Sequence, residues 1–107
     1  MSSDEKIERF RTFVAKDPEN TLHRFALAQA LAKAGRSEEA EAAFGACLEL
    51  DPQWMVAAIK RGRCLVELER WDAAREWLER GAALAEAQNH EEPFEEIREL
   101  MDQLPAD

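Results

Sequence analysis

Apolar residues along this chain recur at helical spacing, and polar residues fill the gaps. Ile7, Phe10, Phe13 and Val14 form one stripe, at the intervals that put side chains on one face of an α-helix. A helix is predicted from Asp4 to Lys16, capped by Ser3 or Asp4 and broken by Asp17-Pro18-Glu19-Asn20. A second is predicted from Thr21 to Ala34, with a broad face of Leu22, Phe25, Ala26, Leu27, Ala30 and Leu31. Gly35-Arg36 closes it, because glycine readily takes the left-handed backbone of a helix end. Ser37 is the expected cap of a third helix, 38–50, whose core candidates are Ala40, Ala43, Phe44, Cys47, Leu48 and Leu50. Asp51-Pro52 ends that helix. A fourth is expected over 53–68 and a fifth over 72–87, with Trp71, Ala74, Trp77, Leu78, Gly81 and Leu84 available for packing. Pro93 opens a last helix to Leu104, with Phe94, Ile97, Leu100, Met101 and Leu104 opposite Glu95, Glu96, Arg98, Glu99 and Asp102.

The pattern repeats. Asp17-Pro18 returns as Asp51-Pro52, and the same offset of 34 pairs Leu31 with Leu65, Ala40 with Ala74, Phe44 with Leu78 and Leu50 with Leu84. Small residues pair too, Ala28 with Gly62 and Cys47 with Gly81. Two helices per 34 residues, with small residues where the helices cross, resemble the tetratricopeptide repeat family. The resemblance implies an all-α, right-handed helical-hairpin solenoid of about six helices in one domain, 1–107. Its expected parts are a half-repeat helix (4–16), repeat one (21–54), repeat two (55–88) and a capping helix (93–104). Arg24 and Ala58 replace the family's early aromatic, Arg61 stands where Leu27 does in repeat one, and Ala85-Glu86 stand where the closing proline of repeat two would be. The fifth helix is therefore expected to run past the repeat boundary.

In that family the first helix of each repeat lines a concave surface. The inward positions implied are Leu22, Phe25, Ala26, Gln29 and Lys33, then Val56, Ile59, Lys60, Arg63 and Glu67. Of these, Phe25, Gln29, Lys33, Val56, Ile59, Lys60 and Arg63 are the candidate peptide-binding residues. The family's carboxylate clamp is not reproduced, because Phe25 and Gln29 stand at its first lysine and first asparagine. That argues against a chaperone-tail receptor.

Charge sharpens this picture. The formal net charge is −9, which disfavours nucleic acid and anionic membranes as partners. Residues 54–63 nevertheless carry Lys60, Arg61 and Arg63 with no acid, whereas residues 64–107 carry 4 bases and 13 acids. Lys60 and Arg63, three apart on one helix, are candidates for gripping a carboxylate or an acidic segment. Arg61 is expected to pack on the core and form a local ion pair, the alternative being a stem laid on the core with its charge in water.

Cys47 and Cys64 read as packing residues rather than a redox or metal pair. His23 and His90 read as surface residues, and no catalytic, cofactor or metal constellation is apparent. The amino terminus lacks an apolar signal core, so the cytoplasm is the expected compartment. The expected function is a small adaptor or scaffold that binds a protein or peptide segment, possibly acidic, as a monomer or weak homodimer. The competing reading is self-association, with Ile7, Phe10, Phe13 or Val14 buried by a second copy.

Overall fold

The computed structural model describes residues 2–106. Met1 and Asp107, the ends of the expected domain, lie outside the described residues. Among the described residues six helices follow one another: α1 (Ser3–Lys16), α2 (Thr21–Lys33), α3 (Ser37–Leu50), α4 (Met55–Glu67), α5 (Trp71–Ala87) and α6 (Pro93–Asp102). No strand occurs among the described residues. No helix of these is long and apolar enough to cross a membrane.

Helix ends follow local chemistry. The Ser2 hydroxyl, one residue before the expected cap, accepts from the Glu5 N–H at 3.2 Å. Asn20 accepts from the His23 N–H at 3.0 Å. Ser37 is not the cap of α3; it is the first helical residue, and Arg36 holds the cap position without a side-chain bond. The Ser37 hydroxyl instead donates to Glu67 Oε2 of α4 at 2.7 Å, tying neighbouring hairpins together. Helix α4 starts two residues later than expected, because Asp51 Oδ1 accepts the Gln53 N–H at 3.2 Å and holds the chain in a turn. Helix α5 has 17 residues against 14 in α3, in keeping with the missing proline.

Three helices end in the same backbone motif. The N–H groups of Gly35 and Arg36 donate to the carbonyls of Ala32 and Leu31. Glu69 and Arg70 donate to Val66 and Leu65, and Asn89 and His90 to Glu86 and Ala85. These paired bonds satisfy carbonyls that the helix leaves open, and they require a left-handed residue. The three residues have φ of 77°, 57° and 59°.

Each helix packs on the next, and small residues set how closely. Ala28, Ala40 and Cys47 are fully buried between α2 and α3, with Phe44 beside them. Thirty-four residues on, Ala74 and Leu78 are equally buried between α4 and α5. Ala40 and Ala74 thus occupy equivalent surroundings. A Cβ on Gly62 would lie 2.7 Å from Leu78 Cδ2, and one on Gly81 would lie 2.7 Å from Ile59 Cγ1. Only glycine permits that approach. The repeat extends to surface charge, since Asp4–Arg36 (3.9 Å) recurs as Glu38–Arg70 (2.7 Å). Exposed pairs of this kind add little stability.

Helix α1 joins this core. Ile7 is wholly buried within the chain, and Phe10, Phe13 and Val14 are half-buried. The flank proposed for a second copy is therefore largely used internally. Helix α6 closes the other end by burying Ile97 and Leu100, and Leu104 follows them.

Candidate functional site

Hollows lie between α2 and α4 and between α4 and α6. The hollow between α2 and α4 measures about 220 Å³ and is lined by Gln29, Ala32, Lys33, Phe44, Lys60, Arg63, Cys64 and Glu67. The structure thus brings together Gln29, Lys33, Lys60 and Arg63. Helical spacing explains this, because Lys60 and Arg63 lie one turn apart, as do Gln29 and Lys33. A second hollow, between α4 and the start of α6, is lined by Met55, Val56, Ile59, Lys60, Glu92, Pro93 and Glu96. Lys60 borders both.

The other candidates divide. Val56 is 38% exposed, and Leu22, its equivalent 34 residues earlier, is 71% exposed. Together they put apolar surface near the start of each inner helix. Ile59 is only 4% exposed and settles over Gly81, so it offers little surface to a ligand. Phe25 is half-buried, stacked on Trp54 with ring centroids 4.6 Å apart and edge-on to Phe44 at 5.6 Å. It forms wall rather than contact surface.

Charges in the first hollow are partly engaged. Arg63 donates to Glu96 Oε1 of α6, and Glu67 accepts from Ser37. Lys33 and Lys60 make no salt bridge among the described residues. Glu96 escapes a reading of the sequence because its partner lies 33 positions away. The only prior signal is its place on the acidic side of the last helix.

Arg61 packs and pairs locally, as expected, rather than reaching into water: Nε donates to Glu41 Oε1 at 2.7 Å, and Cζ lies 4.7 Å from the centre of the Trp77 ring. Gly45 of α3 makes the room, since a Cβ there would lie 2.8 Å from Arg61 Cζ. Arg80 covers Trp77 as well, at 4.6 Å.

Cys47 and Cys64 are both buried. Burial raises both thiols to about 11, which keeps them protonated at neutral pH. His23 is half-buried; its ring packs on Phe13 at 5.4 Å, and its Nδ1 is buried.

Residues 24–54 match the family model for the tetratricopeptide repeat. That match covers all but the first turn of α2, all of α3 and the turn after it. Similar solved structures extend the likeness to the whole helical array. One is the TPR2B domain of yeast Sti1 in complex with pHsp70. It superposes with a TM-score of 0.82 at 23% identity, over 91% of this chain and 78% of that one. The chain carries a tetratricopeptide repeat (TPR) and has the TPR fold. Another similar structure is the TPR2AB domain of yeast Sti1 in complex with pHSP90, with a TM-score of 0.84 at 24% identity. It matches 94% of this chain, which spans 39% of that one. No curated protein matches the chain in sequence. At these identities the likeness establishes the TPR architecture, and what the groove binds must be argued from its own residues.

Proposed function

We propose that this protein is a non-catalytic interaction module, a small adaptor or scaffold, that binds an acidic peptide segment along α2 and α4. The observation that carries this reading is the first hollow, where Gln29, Lys33, Lys60 and Arg63 converge in an otherwise acidic chain. Lysine and arginine donate charge-assisted hydrogen bonds to carboxylates, and glutamine adds a neutral donor. Exposed Leu22 and Val56 give an apolar side chain of the ligand somewhere to rest. The Sti1 domains are solved with pHsp70 and pHSP90, so this architecture accommodates such partners. A chaperone-tail ligand is not favoured here, because Phe25 and Gln29 occupy clamp positions.

Fluorescence anisotropy with a labelled aspartate-rich peptide tests the proposal. Binding should weaken as salt rises, and Lys60→Glu with Arg63→Glu should weaken it at least tenfold. Equal affinity and equal salt dependence in wild type and double variant would remove the groove from consideration.

A further inference from the structure

Glu96 occupies an unusual place for a residue of the terminal helix. It projects from α6 onto Arg63 of α4 and lines the hollows on both sides of that contact. The pair is exposed, 50% on the arginine and 39% on the glutamate, so it sits at the rim of the groove rather than in the core. Glu92 and Glu96 also face Lys60 across the second hollow. The groove's one arginine therefore already carries a carboxylate, supplied by the chain itself, while Lys33 and Lys60 have no salt-bridge partner among the described residues.

We infer that Glu96 is a specificity-determining residue that holds Arg63 in reserve and sets how much a second acidic group on the ligand contributes. The inference rests on the acidic-segment reading above. A first ligand carboxylate meets Lys33 and Lys60. A second reaches Arg63 only by displacing Glu96, so it exchanges one ion pair for another and gains little. Removing the Glu96 charge leaves Arg63 without that competitor, and the second carboxylate then gains the strength of an exposed arginine–carboxylate pair.

The test uses the full chain and two fluorescein-labelled, amidated alanine–serine peptides, one with a single aspartate and one with two adjacent aspartates. In Glu96→Gln, the second aspartate should tighten binding by about two- to fivefold more than it does in wild type. Adding Arg63→Gln to Glu96→Gln should abolish that extra gain. Glu96→Ser serves as a second replacement should the glutamine variant lose helix by circular dichroism. A role limited to bracing α6 would shift both affinities together and leave their ratio unchanged. An equal gain in wild type and both variants, or a gain that survives Arg63→Gln, overturns the inference even if the acidic peptides bind. If none of these proteins binds either peptide, the inference falls together with the acidic-segment reading.

Discussion

The two helix pairs share a pattern and differ in how they use it. Between α2 and α3 the small positions are Ala28 and Cys47, and the large ones are Phe25 and Phe44. Between α4 and α5 they are Gly62 and Gly81, against Ile59 and Leu78. Glycine in the second pair lets Ile59 and Leu78 press against bare backbone. In the first pair the buried Cys47 side chain takes up space that Gly81 leaves open, and Phe25 remains half-buried on Trp54 and Phe44. Each of these positions therefore holds a smaller residue in the second pair than in the first, and α4 and α5 make up the volume by closer approach. Interiors are packed to near crystal density, so a smaller residue on one helix must be matched by a larger or closer one on its neighbour.

The largest effect should come from emptying either centre. Phe44→Ala should cost about 3–5 kcal/mol and Leu78→Ala about 2–5 kcal/mol in urea unfolding. Either loss is a large part of the stability of so small a domain. A loss below about 1 kcal/mol at one site would show that the two pairs do not share a cooperative core. Next comes the exchange of small residues. Gly81→Cys installs the first pair's residue in the second, where it meets Ile59, and should cost about 1–2 kcal/mol after the gain in helix propensity. Combining it with Ile59→Ala should cost less than the sum of the two single changes. Strict additivity would mean that Gly81 and Ile59 do not set the spacing.

Much of this is legible in the sequence alone. Asp17-Pro18 and Asp51-Pro52, with the small residues between them, expose the period, and apolar stripes, caps and breakers place all six helices to within two residues. Local signals did less well where a non-local partner intervened. Ser37 looks like a cap, yet Glu67, 30 positions on, takes its hydroxyl. Lys60 and Arg63 stood out as an isolated positive stretch, whereas Glu96 did not stand out among many acids. Phe25 and Ile59 carry inward register, but register alone does not tell an exposed wall from a residue drawn into the neighbouring interface.

Arg61 and Arg63 extend the comparison to charge. Two residues apart on α4, they point to different surroundings. Arg61 is 23% exposed, paired to a Glu41 that is 14% exposed, and lies on Trp77. Arg63 is half exposed at the groove rim. Arg61→Met keeps the stem and removes the charge, leaving Glu41 alone near the core; it should cost about 1–2 kcal/mol. Arg63→Met should cost well under about 1 kcal/mol. Urea midpoints in low and high salt measure both, and equal losses would show that burial does not distinguish the two arginines.

The smallest effect carries the most pointed sign. Gly35 and Glu69 are equivalent residues in the turns that follow α2 and α4, and both are left-handed, at φ 77° and 57°. The backbone bonds around them match within 0.1 Å: the N–H of each donates at 3.0 Å, and the next residue's at 3.0 Å and 2.9 Å. Glycine takes this conformation freely, whereas a residue with a Cβ is strained there by about 1 kcal/mol. Asn89 at φ 59° is the intermediate case, since asparagine tolerates the region better than most. The motif persists at Glu69 because the two hydrogen bonds and the packing of α4 on α5 together outweigh the strain. Exchanging the residues should therefore act in opposite directions at equivalent sites. Glu69→Gly should raise stability by about 0.5–1 kcal/mol, and Gly35→Glu should lower it by about 1 kcal/mol. A gain at position 69 without a loss at position 35 would mean that contacts of the Glu69 side chain, rather than its backbone, set the balance in that turn.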